Sequence, residues 1–153
     1  MTRIAALLLA ALAAAPVAAQ EAEAAQTETE QAQSIIRDGT DATLEEFRWV
    51  ARPVIVFADS PADPRFVRQM EAIRDREESL ADRDVVVLTD TEPGARSDLR
   101  QELRPRGFML AVIAKDGTLI TRKPLPWDAE QVMRSIDKQP LRQQEVRERA
   151  GSG

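Results

Sequence analysis

The chain has 153 residues, 21 of them Lys or Arg and 26 Asp or Glu, for a formal net charge of −5, and it contains no Cys, His or Tyr. The length suits a single domain, and the acidic balance argues against nucleic acid and anionic membrane surfaces as partners. The missing side chains exclude thiol–disulfide and peroxidase chemistry, a Ser or Thr nucleophile activated by His, and metal sites ligated by His or Cys. No loop has the acidic ligand spacing of a calcium or magnesium site, so no metal or other cofactor is implied.

In chain order, Thr2-Arg3 precedes an apolar run from Ile4 to Ala15 and then Pro16-Val17-Ala18-Ala19. A basic start, a short apolar stretch and small residues at a cleavage point read as a secretory signal peptide cut after Ala19. The run is too short to span a bilayer, which takes about 20 apolar residues. The expected address is therefore the periplasm or beyond. Residues 20–42 are rich in Glu, Gln, Ala and Thr and read as a flexible acidic leader. The folded domain is expected over 43–142, opening with a capping box at Thr43-Leu44-Glu45-Glu46 and a short helix carrying Leu44 and Phe47. Arg52-Pro53 ends that helix, because the residue before proline is driven to extended geometry.

The run Val54-Ile55-Val56-Phe57-Ala58 is apolar on both faces, so it reads as a central strand covered on both sides. Asp63-Pro64 fits an N-cap and first helical position. Phe66, Met70, Ile73 and Leu80 then mark one face of an amphipathic helix. Val85–Leu88 is a second buried strand, so strand, helix and strand make a right-handed parallel unit. Ser97 can cap a short helix with Leu99 and Leu103, stopped by Arg104-Pro105. Phe108–Ala114 and Thr118–Lys123 flank Lys115-Asp116-Gly117 and read as a hairpin. Its second arm is an edge strand with Leu119 and Thr121 facing one way, Ile120 and Arg122 the other. A last helix runs from Trp127 to Asp137 with Ala129, Val132, Met133 and Ile136 inward. Gln139-Pro140 interrupts it, and 143–153 reads as a charged, fraying tail.

The order β-α-β-α-β-β-α, a small mixed sheet with helices on both faces, resembles thioredoxin. Arg106-Gly107-Phe108-Met109 and the Lys115-Asp116-Gly117 hairpin fall where a thioredoxin has similar features. The loop after Ala58 lacks Cys-x-x-Cys, and Met109 stands where the cis-proline would be. A closer resemblance is to an exported bacterial family known as domain of unknown function 4174, regarded as thioredoxin-like. It covers about Leu44 to Glu145 and is carried by Leu44–Trp49, Arg52-Pro53 with the strand to Ala58, Pro64-Arg65-Phe66, Gln69, Arg83-Asp84, Lys115-Asp116-Gly117, and Ile136-Asp137 with Pro140 and Arg142. Where the family pattern looks like Met-Pro-Met-Arg, this chain has Gln139-Pro140-Leu141-Arg142. The resemblance implies a fold and no activity.

Two functional readings follow. In the first, the chain is a redox-inactive module that binds another exported or envelope protein. Strand direction puts Arg48, Trp49, Arg52, Arg83 and Asp84 at the N-terminal end of the sheet. Lys115 and Asp116 return to that end, and Asp137, Arg142 and Glu145 approach it on the last helical stretch. Such a cluster is either an Arg-Trp binding surface or an ion-pair network with Trp49 as partly buried packing. In the second reading, Asp59, Ser60 and Asp63 form a carboxylate-based catalytic loop. Against it, Asp and Ser are the usual turn and cap residues before a helix. Self-assembly into an envelope structure is a third reading that the sequence does not separate from the first.

Overall fold

A computed structural model describes residues 34–152. The expected signal peptide and residues 20–33 of the expected leader lie outside the described residues. The unit Ile35–Gly153 is built on a five-stranded sheet. Its strands are β1 (Ile36–Asp38), β2 (Arg52–Phe57), β3 (Val85–Asp90), β4 (Met109–Ile113) and β5 (Leu119–Lys123), in the spatial order β1-β3-β2-β4-β5. β2 is parallel to β3 and antiparallel to β4. All six of its residues are buried, as its two-sided apolar pattern requires.

The pleat of β2 feeds two cores. Val54 and Val56 point into one, with Met70 and Ile73 of α1 (Pro64–Arg74), Leu80 of α2 (Glu77–Ala81), and Val132 and Ile136 of α4 (Ala129–Asp137). Ile55 and Phe57 point into the other, with Leu99 and Leu103 of α3 (Asp98–Leu103) and with Leu44 and Phe47 of a 3-10 turn at Leu44–Phe47. Each buried aliphatic or aromatic side chain contributes roughly 1.5–3 kcal/mol before entropy is subtracted.

Four local expectations need correction. The expected leader does not run as far as residue 42. Ile36–Asp38 pairs parallel to β3, the Val87 N–H donates to the Ile35 carbonyl at 2.8 Å, and the Gly39 N–H donates to the Thr89 carbonyl at 2.8 Å. The exposed edge of β3 supplies those bonds, so few apolar residues are needed. Gly39 permits the close approach, since a Cβ there would lie 3.1 Å from both Leu88 Cβ and Leu99 Cδ1. The amphipathic helix is broken at Arg76 into α1 and α2, and Glu77 beyond the break accepts the Ile35 N–H at 2.9 Å. A bulge at Val112/Ile113 puts Ile120 and Thr121 on one side, both lining a cleft with α4, and leaves Leu119 and Arg122 on the other. The tail does not fray: Pro140–Gly151 forms α5, with Pro140 at its first turn.

Candidate functional site

The N-terminal ends of β2 and β3 start at Arg52 and Val85, in register, and the hairpin after β4 returns Lys115 beside them. Arg52 is 1% exposed although it carries a charge. Its backbone N–H donates to the Asp84 carbonyl at 2.7 Å, Nη1 donates to the Arg83 carbonyl at 2.9 Å, and Nη2 donates to Glu145 Oε1 at 3.0 Å. Asp84 lies 3.7 Å from Nη1 and takes Lys115 Nζ at 2.8 Å and Arg149 Nη2 at 3.3 Å. Glu145 also receives Lys115 at 3.2 Å and Arg142 at 3.5 Å. Two carboxylates thus stand among four cations, two of which come from α5.

A second pair closes the flank. Arg83 forks onto Asp137 with Nε at 3.0 Å and Nη2 at 2.9 Å, while its Nη1 donates to the Ser79 carbonyl. Arg142 Nε is 3.7 Å from the same carboxylate, too long for a hydrogen bond. Burial pushes the Asp84 carboxyl up, but the bond and charge of Lys115, with Arg149 and Arg52 behind it, outweigh that and hold it below its ordinary value. Burial likewise pushes Glu145 up and is outweighed by hydrogen bonds from Arg52 and Lys115 and by their charges. Six of the sequence-predicted residues (Arg52, Arg83, Asp84, Lys115, Asp137 and Arg142) therefore form one clamp between the sheet end and the last two helices.

The other three stand apart from it. Trp49 is 65% exposed and Val50 68%, so the expectation of Trp49 as partly buried packing is overturned. Trp49 has φ +64, a region that a bulky residue rarely adopts, and its N–H donates to the Lys115 carbonyl at 2.6 Å. That bond to the hairpin fixes the turn and leaves the indole in solvent. Arg48 pairs with Glu45 at 3.2 Å and lies along Gly117, where a Cβ would be 3.3 Å from Nη2. Gly117, at φ +88, thus serves both the hairpin and this close approach. The Asp116 carboxyl is lowered by the Thr118 backbone N–H, which it accepts at 2.9 Å.

At the opposite end, Asp63 Oδ1 caps α1 by accepting the Arg65 N–H at 2.8 Å, and its Oδ2 pairs with the Arg65 guanidinium at 2.8 Å. Ser60 Oγ accepts the Ala62 N–H at 3.1 Å. Two members of the expected catalytic loop are therefore engaged as turn and cap. The sequence reading missed buried Asp90, which accepts from Ser97 Oγ and, at 2.8 Å, from Arg100 Nε, while Arg100 Nη2 donates to the Ala58 carbonyl at 2.7 Å. This ties α3 to the ends of β2 and β3. An Asp closing an apolar strand ten residues before an Arg was the available signal. Among the described residues no group of acidic side chains could hold a metal ion, and no helix is long and apolar enough to cross a membrane.

The model of the domain of unknown function DUF4174 matches residues 43–145. The chain belongs to the DUF4174 family. Among curated proteins no sequence matches it. Its fold is thioredoxin-like: the exposed lipoprotein thioredoxin Etrx1 of Streptococcus pneumoniae is 14% identical with a TM-score of 0.50, over 63% of this chain and 90% of that one. The reduced 2-Cys peroxiredoxin of Plasmodium vivax gives 10% identity and a TM-score of 0.49 over 61% and 80% of the two chains. Chloroplastic thioredoxin z gives 20% and 0.47 over 58% and 78%. This DUF4174 chain contains no cysteine. The DUF4174 match ends on Glu145 and so takes in all three carboxylates of the clamp, Asp84, Asp137 and Glu145, while Arg149 lies beyond it.

Proposed function

We propose that this DUF4174 protein is an exported, redox-inactive module that works by binding another exported or envelope protein, with Trp49, Val50 and Arg48 as the centre of contact. The exposed, left-handed Trp49 carries the reading. Left-handed backbone costs a non-glycine residue roughly 1–2 kcal/mol, and exposing an indole forgoes its burial. The 2.6 Å bond to the Lys115 carbonyl holds the turn, but among the described residues the indole joins neither core cluster, and strain of this kind gathers at functional positions. Tryptophan and arginine are also the side chains on which interface energy concentrates. The part-buried clamp behind them is the support: it holds Lys115, whose carbonyl fixes the Trp49 turn. Export rests on the signal-peptide pattern of residues 1–19.

The test is site-specific photocrosslinking in cells, with benzoylphenylalanine in place of Trp49 or, as a control, of Val67 on the exposed side of α1. A discrete adduct with one envelope protein from position 49 and none from position 67 is expected, on a bait whose terminus is at or near Gln20. Equal adducts from both positions would contradict the surface, and a retained Met1 would contradict export.

A further inference from the structure

At the far end of the sheet from Trp49, a cleft of about 490 Å³ is lined by Arg104, Arg106, Phe108, Met109, Arg122 and Pro124. Local geometry builds it. α3 ends at Arg104 in left-handed backbone (φ 50), and Gly107 (φ +66) turns the chain into β4, so Arg104 and Arg106 flank Pro105 on a short rigid loop. Arg122 stands opposite Ala111 on β5, on the sheet face that also carries Met109. No residue of β5 joins the core on that face, so the cleft stays open above Met109.

The charge there is unbalanced. Among the described residues none of Arg104, Arg106 and Arg122 has an ion pair or a side-chain hydrogen bond, whereas most of the arginines at the Trp49 end are paired. The facing loop contributes Asp59, whose Oδ2 is 3.8 Å from the place of a Cβ on Gly107, but Arg65 approaches the same place to 3.9 Å. A chain of net charge −5 thus concentrates unpaired guanidinium groups at one opening over an apolar floor. Guanidinium forks match carboxylate and phosphate oxygens two at a time, and the volume is that of a small-molecule site.

We propose that this cleft binds a small organic anion, a carboxylate or phosphate ester on an apolar body, with Arg104, Arg106 and Arg122 holding the charge and Met109 and Pro124 the body. It is independent of the Trp49 surface. The probes are 1-naphthyl phosphate, 1-naphthoate and inorganic phosphate, each titrated into the full protein and followed by amide chemical shifts. Either naphthyl compound should shift residues 104–109 and 122–124, bind more tightly than inorganic phosphate, and weaken about tenfold or more in Arg106→Gln/Arg122→Gln. Arg68→Gln, on the exposed side of α1, should leave binding unchanged. Preference for one naphthyl compound identifies the acid group. Shifts scattered over all exposed arginines, or binding untouched by the double substitution, would overturn the proposal.

Discussion

Arg52 is the residue on which the sheet end depends, because a guanidinium 1% exposed, with its Nε already unpartnered, is tolerable only while its charge is compensated. Glu145 supplies the closest carboxylate. Glu145→Ala should cost about 3 kcal/mol by leaving that charge under-compensated. Arg52→Met/Glu145→Ala, which removes both charges, should recover most of the loss, as urea unfolding of the four members of the cycle would show. If the double variant were as unstable as the single, the cost would lie in packing rather than in charge. That these residues share one end was legible from strand direction, since Arg52 opens one parallel strand, Asp84 precedes the other and Lys115 follows an antiparallel one. The exposure of Trp49 was not legible. It depends on a φ of +64 and on a bond to a carbonyl 66 positions away, and neither leaves a trace in a local pattern.

α5 is the element that sequence patterning misjudged. Its buried residue is Arg142, and Val146 is half exposed, so no apolar stripe announces it. What fixes it is charge: Arg142, Glu145 and Arg149 reach Asp137, Arg52, Lys115 and Asp84. β1 was missed for a related reason, since backbone pairing with the edge of β3, rather than side-chain burial, holds it. The two central strands and α4 were legible because their apolar periodicity is what folds them. A helix held by ion pairs should respond to acid. Asp84 and Glu145 are both lowered in the folded state, so their contribution is complete above the ordinary carboxylate range and is lost as the pH falls through the lowered values. Melting temperature should therefore drop below about pH 4. Asp84→Asn/Glu145→Gln should melt lower at pH 7 and show a flatter acid limb. An acid limb of unchanged slope would assign the transition to other carboxylates.

Across the molecule, the sheet has two differently furnished ends. One is closed by an ion clamp built on buried Arg52, with Trp49, Val50 and Arg48 outside it. The other keeps Asp59 and the turn and cap residues Ser60 and Asp63 beside an arginine-lined cleft, in a chain that contains no cysteine. The fold was legible as a whole because element order and a two-sided apolar β2 restrict the topologies. The division of the predicted cluster into a clamp around buried Arg52 and an exposed group with Trp49 was not, since burial depends on α5. The central claim is that Trp49 serves recognition rather than folding, and Trp49→Gly tests it most directly. Glycine adopts φ +64 without strain, so the melting temperature should stay the same or rise. Affinity for the protein trapped at position 49 should fall at least about tenfold, measured by titration on the same preparation. A lower melting temperature with that affinity intact would contradict the claim.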